Sequence, residues 1–404
     1  MKNNTELDTN TLISRIEDAI NQLKSNDFTL YFFVVDSKNV PNGSMYYTYQ
    51  LAKTLHDKGY NVKMLYQLEN EYTASEIYNL EKKEQPLDPR RMFGGVSEWL
   101  GQEYADLPHQ NIVETEWSLR PSDFLFIPEA LSNFMFQTYR QHVPCKRYVI
   151  QHNFNNITDF IPLGVEWKHY GITDVITNSE SQAELTKSVF PYVKATVLPP
   201  YLSPIFKKPI EGKKLIVNVI SKKQSDVNRV IKQFYWKYPM YKFVSFRDVR
   251  GYSMNQLAEI LQESPITVWM DEGTSFGYSA LAAMRCGNLV IGKVPDTLPD
   301  WMKNDNSLYN NGIWVYDINK IPDFVSVAIS AFLRGEDEQF CNDDVELTNA
   351  KYNLADWNIA VEEFAKNAIE ERMKSFIEAK NAFIQQIEKN QETDNKTQTK
   401  EELK

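Results

Sequence analysis

Two sets of residues have the types and spacing for ligand chemistry. The first is the loop Asp271-Glu272-Gly273-Thr274-Ser275-Phe276-Gly277, set between an apolar run, Ile266 to Met270, and a helical pattern opening at Tyr278 and Ser279. Short apolar runs rich in β-branched residues suit strands covered on both faces. A loop that joins such a strand to a helix lies at the carboxyl edge of the sheet, where first-turn N–H groups have no intrahelical acceptor. An anion is the natural occupant. The second set follows two other apolar runs: Glu129 after Asp123 to Pro128, and His152, Asn153 and Asn155 after Arg147 to Gln151. Strand ends are where the sites of α/β proteins gather. Gly43, with Ser44 beside it, is a further place where backbone can approach a ligand.

The elements that must position these groups alternate strand and helix. Phe28 to Val35 reads as a buried strand, Met45 to Lys58 as a helix closed by Gly59, and Val62 to Tyr66 as the next strand. Ile172 to Thr177 is a strand that delivers Ser179 as a helix cap, and Ala195 to Leu198 follows that helix. Pro199-Pro200 then breaks regular structure, and 204–214 is the domain boundary. The second half repeats the alternation: strand Leu215 to Ile220, helix Val227 to Tyr238, strand Lys242 to Phe246, helix Met254 to Leu261, then the stretch from Ile266. A β-α-β-α order implies parallel, doubly wound sheets. The expected organisation is a helical extension at 1–26, an α/β domain at 27–204, a second at 212–350, a long helix at 355–389 and a disordered tail at 390–404. The polar stretch 69–110 receives no role.

Composition narrows the class. A chain of 404 residues with 42% apolar content buries ample core for two domains. The net charge of −10 disfavours a nucleic-acid partner held through phosphates. Cys145, Cys286 and Cys341 are few, odd in number and widely spaced, which fits a reducing, cytoplasmic setting without a disulfide framework. No apolar run approaches the ~20 residues of a membrane span.

The series Thr274-Ser275-Phe276-Gly277-Tyr278-Ser279-Ala280-Leu281-Ala282-Ala283-Met284, with Cys286-Gly287 and the strand Leu289-Val290-Ile291, resembles the donor segment of GT-B glycosyltransferases of the family 4 type. The segments LAKTLHDKGYNVKML and ITDVITNSE resemble the start and end of the same family's first domain. The resemblance covers about residues 28 to 370 and implies two Rossmann-like domains, the first for acceptor and the second for nucleotide-sugar. It departs from the family at two glutamates, which fall here on Thr274 and Ala282. Glu272, two positions earlier, is the carboxylate offered in their place.

The resemblance also implies roles. Lys222 and Lys223 neutralise the donor diphosphate, Arg247 faces the nucleotide base, and Glu272 with Thr274 to Ser279 complete the donor site. His152 lies beside the transferred sugar as the catalytic candidate, while Gly43, Ser44 and Asn153 line the acceptor side. The implied reaction is retaining sugar transfer to a carbohydrate, lipid or protein, as in polysaccharide biosynthesis, with nucleotide-sugar as substrate and neither metal nor cofactor. The competing reading is an inactive relative acting as a scaffold. In the terminal helix, Val361, Phe364, Ala365 and Ala368 would cross back to the first domain, and the stripe from Met373 would meet a protein partner.

Overall fold

The computed structural model describes residues 2–95, 97–113, 118–210, 212–302 and 312–402. Helix α1 (Lys2–Lys24) precedes a first domain of alternating elements. Its first half holds β1 (Thr29–Phe33), α2 (Gly43–Asp57), β2 (Asn61–Tyr66), α3 (Ala74–Lys82), α4 (Ser97–Leu100) and β3 (His109–Asn111). Its second half holds β4 (Phe124–Pro128), α5 (Ser132–Arg140), β5 (Lys146–Gln151), α6 (Phe154–Phe160), β6 (Asp174–Thr177), α7 (Glu180–Val189) and β7 (Lys194–Val197). These strands form one parallel sheet in the order β3-β2-β1-β4-β5-β6-β7. Every residue of β1 and β4 is buried, because helices cover both faces.

The second domain runs β8 (Ile216–Ile220), α8 (Gln224–Lys237), β9 (Ser245–Asp248), α9 (Met254–Glu263), β10 (Ile266–Trp269), α10 (Tyr278–Arg285), β11 (Leu289–Lys293), β12 (Ile313–Val315) and α11 (Ile321–Leu333). Its parallel sheet has the order β12-β11-β10-β8-β9. Helices α12 (Asp337–Lys351) and α13 (Leu354–Glu402) close the chain. Phe28, Phe124 and Phe126 of the first domain share one apolar cluster with Trp269, Phe276 and Leu281 of the second. The domains therefore meet through a continuous core as well as a cleft.

The start of α13 crosses back onto the first domain. Trp357, Val361, Phe364, Ala365 and Ala368 enter the shared cluster, and the Trp357 indole donates to Thr54 Oγ1 at 2.8 Å. The Arg372 guanidinium donates to the carbonyls of Pro121 and Pro144. The stripe beyond Met373, which the sequence reading turns toward a partner, runs beside the chain's own α1: Lys380 pairs with Glu17 at 2.5 Å and Ile20 and Leu23 of α1 are buried. The helix also continues to Glu402, through residues the sequence reading gives to a disordered tail. That stretch is polar but holds no Gly or Pro and is rich in Glu, Gln and Lys, which propagate a helix without a core.

One strand is displaced from its expected place. Apolar spacing puts it at Lys242 to Phe246, but Pro239–Tyr241 forms a 3₁₀ turn and Phe243 is exposed, so β9 begins at Ser245. The shift brings Arg247 inside the strand.

Candidate active site

A cleft of about 600 Å³ separates the carboxyl edges of the two sheets. From the first domain it is lined by the start of α2 (Asn42, Gly43, Ser44, Tyr46 and Tyr47) and by His152, Asn153, Asn156 and Asn178 beyond β5 and β6. From the second come Lys222, Asp271, the segment Gly273 to Ser279, and Tyr252, Met254 and Leu257 around the start of α9.

Helix α2 begins earlier than its pattern implies. Asn42 is the cap, its side-chain oxygen accepting from the N–H groups of Ser44 and Met45, so Gly43 and Ser44 are helical rather than part of a loop. A Cβ at Gly43 would touch nothing within 4 Å. The fold does not require glycine there.

His152 is buried, with both ring nitrogens occupied. Nδ1 lies 2.7 Å from Glu129 Oε2 and Nε2 lies 3.0 Å from Thr48 Oγ1. The other Glu129 oxygen accepts from the Asn153 N–H at 3.1 Å and the Asn156 amide at 2.8 Å. Burial alone would raise the Glu129 carboxyl, but the His152 ring and these hydrogen bonds hold it below its ordinary range. The His152 carbonyl accepts from Asn178 Nδ2 at 3.0 Å and from the Ser275 hydroxyl, which belongs to the opposite domain. Asn153 likewise donates across the cleft to the Gly273 carbonyl.

The loop before α10 is held rigidly. Gly277 has φ of 74°, and a Cβ there would fall 2.9 Å from the Trp301 ring, so conformation and space both demand glycine. Its N–H donates to Thr274 Oγ1 at 3.0 Å, and the Trp301 indole donates to the Phe276 carbonyl at 2.7 Å. The Ser279 hydroxyl accepts from the Trp269 indole, and the Tyr278 hydroxyl meets that of Tyr46 at 2.9 Å while accepting from the Ser203 N–H. The side chains of Thr274, Ser275, Tyr278 and Ser279 are thus committed to the scaffold. Helix geometry leaves the N–H groups of Tyr278 and Ser279 without intrahelical acceptors, and Lys222 adds an ammonium on the same side.

Five sequence-assigned residues lie outside the cleft lining: Glu129, behind His152, and Asn155, in the first turn of α6, from the first domain, and Lys223, Glu272 and Arg247 from the second. Lys223 pairs with Glu272 at 2.9 Å, and Glu272 also binds Lys293 at the end of β11. Hydrogen bonds from Lys293 and then Lys223 lower the Glu272 carboxyl below its usual range. Arg247, aligned with Asn218 in the sheet, pairs with Glu263 at 2.7 Å at the end of α9, and Glu263 also takes Lys214 ahead of β8. That is the amino edge of the sheet, so Arg247 does not face a nucleotide in the cleft. From this part of the domain it is Tyr252 and Met254 that line the cleft. Ala282, where the resembling family has its second glutamate, is fully buried in the core. The carboxylate that does line the cleft is Asp271, 3.2 Å from Lys222. His56, Asp57 and Asp106 could together offer metal ligands, but they lie at the opposite end of α2, with Lys53 bound to both carboxylates.

Sequence reasoning missed Tyr46, Tyr47 and Asn178; Tyr252 ends the loop 247–252 that the resemblance turns toward the nucleotide base, although Arg247 was the residue named in it. Asn178 had a signal, since it follows β6 as His152 follows β5. Tyr46 and Tyr47 sit in an ordinary helical pattern and carried none.

No family model matches the chain, and no curated protein matches it in sequence. Solved structures do. Sucrose-phosphate synthase from Thermosynechococcus elongatus superposes with a TM-score of 0.56 at 12% identity over 85% of this chain and 100% of its own. The fold is GT-B. A TarM variant from S. aureus, in complex with fondaparinux, α-GlcNAc-glycerol and UDP, gives a TM-score of 0.57 at 10% identity over 85% and 99% of the two chains. The pneumococcal O-GlcNAc transferase GtfA, in complex with UDP and GlcNAc, gives 0.56 at 11% identity over 86% and 99%. At such identity the likeness establishes the GT-B architecture alone. Among the described residues no helix is long and apolar enough to cross a membrane.

Proposed function

We propose that this GT-B protein is a glycosyltransferase that moves a sugar from a nucleotide-activated donor held in the interdomain cleft. One observation carries the reading: the α10 start, Lys222 and His152 line the same 600 Å³ space. The donor diphosphate sits on the N–H groups of Tyr278 and Ser279, with Lys222 balancing the charge that grows on the leaving group. The base lies toward Tyr252 and Met254, and the sugar toward His152 and Asn153. Transfer is retaining and metal-independent: the bond from the anomeric carbon to phosphate oxygen breaks, the acceptor oxygen bonds to the same face, and the departing phosphate takes the acceptor's proton. The acceptor is a carbohydrate, lipid or protein hydroxyl.

A second reading, a weakened or inactive relative that serves as a binding subunit, is favoured by a specific arrangement. Thr274 is spent on the Gly277 N–H and Ala282 is buried, so neither position offers the donor a carboxylate. A carboxylate bonded to a ligand hydroxyl contributes about 1.5–3 kcal/mol, ten- to a hundredfold in affinity. Calorimetric titration in EDTA against UDP, GDP, ADP, TDP and CMP and their sugar conjugates separates the readings. Saturable binding of one nucleotide is expected for the transferase, and no binding by any of them moves the assignment to the scaffold.

A further inference from the structure

The contacts around His152 specify what its ring can do. Glu129 Oε2 stands 2.7 Å from Nδ1, with the carboxylate buried and its other oxygen taken by Asn153 and Asn156. A carboxylate held in its charged form accepts and does not donate, so Nδ1 carries a proton. On the other edge, Thr48 Oγ1 lies 3.0 Å from Nε2 and 3.2 Å from the Ser44 carbonyl. Its hydroxyl has one proton for these two acceptors. When that proton goes to Nε2 the ring is neutral. When it goes to Ser44, Nε2 itself must be protonated and donates to Thr48, and the ring is an imidazolium against the Glu129 carboxylate.

Resting on the donor cleft proposed above, we infer that Glu129 is a positioning residue that fixes the Nδ1-protonated form of His152 and leaves Nε2 to Thr48, so that the ring is a held polar wall of the cleft rather than a base open to substrate. Tyr47 of α2 also faces the ring, edge-on at 5.8 Å, with its hydroxyl given to the Leu198 carbonyl. Asn178 and Ser275 present only a carboxamide and a hydroxyl, both to its backbone carbonyl.

The test is the ring-nitrogen spectrum of the unliganded full chain carrying ring-¹⁵N histidine, read by long-range proton–nitrogen correlation. The His152 signals, among those of five histidines, are identified by their loss in His152→Gln. Expected is an Nδ1 shift in the protonated range. A neutral ring protonated at Nε2 overturns the inference. In Glu129→Gln the neutral ring should redistribute toward the Nε2-protonated form, whereas an unchanged tautomer would make Glu129 merely structural and overturn its role. Thr48→Val should move the Nε2 signal and leave Nδ1 in place; a Thr48→Val protein with the wild-type Nε2 signal removes Thr48 as the partner of that edge. Should Glu129→Gln not fold, the wild-type tautomer still decides. Because the reading is taken without nucleotide, a failed nucleotide panel and a wrong tautomer remain separate results.

Discussion

The carboxyl edge of the first sheet holds Glu129, His152 and Asn178 as buried groups, each bonded to fixed partners, whereas that of the second holds Lys222 and Lys223 with side chains 75% and 62% exposed and paired with Asp271 and Glu272. A buried group exchanges its partner only at the cost of stranding another in low dielectric. An exposed ion pair contributes about 0–1 kcal/mol and can be traded for a ligand at little loss. The first sheet's edge is therefore set before any ligand arrives, and the second sheet's lysines are available to one. In a sugar transferase that division suits a fixed place for the sugar beside a charge-neutralising place for the diphosphate.

The sharpest way to break the contrast is His152→Ala, which strands the Glu129 carboxylate. Removing the partner of a buried charge costs about 3–5 kcal/mol, read by urea unfolding, and a loss below about 1 kcal/mol would show the first edge to be as adaptable as the second. The pH dependence has a definite sign. Glu129 is lowered in the folded state, so its stabilisation is complete above the ordinary carboxylate value of about 4.3 and is lost as pH falls through the lower folded value. Thermal unfolding should therefore shift downward as pH falls from about 4.3, and Glu129→Gln should flatten that part of the curve.

Next in size is the tie between the edges. Asp300 of the second domain accepts from the Glu180 N–H at 2.7 Å and from the Ser181 N–H and hydroxyl at 2.9 and 2.7 Å, so a carboxylate of one domain caps α7 of the other. Asp300→Ala should cost about 1 kcal/mol, the usual loss of a cap, and widen the molecule in solution scattering. An unchanged scattering profile with the same stability loss would confine Asp300 to capping and leave closure to Asn153 and Ser275.

Much of this architecture was legible because parallel strands buried on both faces write themselves as apolar runs, as Ile266 to Met270 and Phe124 to Pro128 do. The loop from Asp271 to Gly277 was legible for the same reason, being the break between such a run and a helix. Arg247 was misplaced because Phe243, apolar yet exposed, mimicked the start of a strand that begins at Ser245. Lys293 as a partner of Glu272, Thr48 as a partner of His152 and Tyr46 as a partner of Tyr278 were invisible, since each joins elements distant in the chain with no local pattern to record the pairing. Periodicity shows which face is buried. It does not show what the buried polar atom will meet.

The smallest effects on stability are expected at the second edge, where effects on binding should be largest. Lys222→Ala removes an exposed partner of Asp271, so unfolding should change by no more than about 0.5 kcal/mol. A diphosphate on the α10 start would lose a charge-assisted contact, and nucleotide affinity should fall about tenfold. Glu272→Gln works in the opposite direction: it leaves Lys223 and Lys293 without their shared carboxylate, beside a helix start that already favours anions. Affinity should rise a few-fold at low salt, the gain shrinking as ionic strength screens exposed lysines. If Lys222→Ala and Glu272→Gln both leave nucleotide affinity unchanged while folding is intact, the lysines are surface charges and the second edge has no ligand role. If Lys222→Ala weakens binding and Glu272→Gln strengthens it, Glu272 is a resident carboxylate in competition with the ligand for the same cations, and its pairing in the free protein keeps two lysines beside the cleft until a diphosphate replaces it.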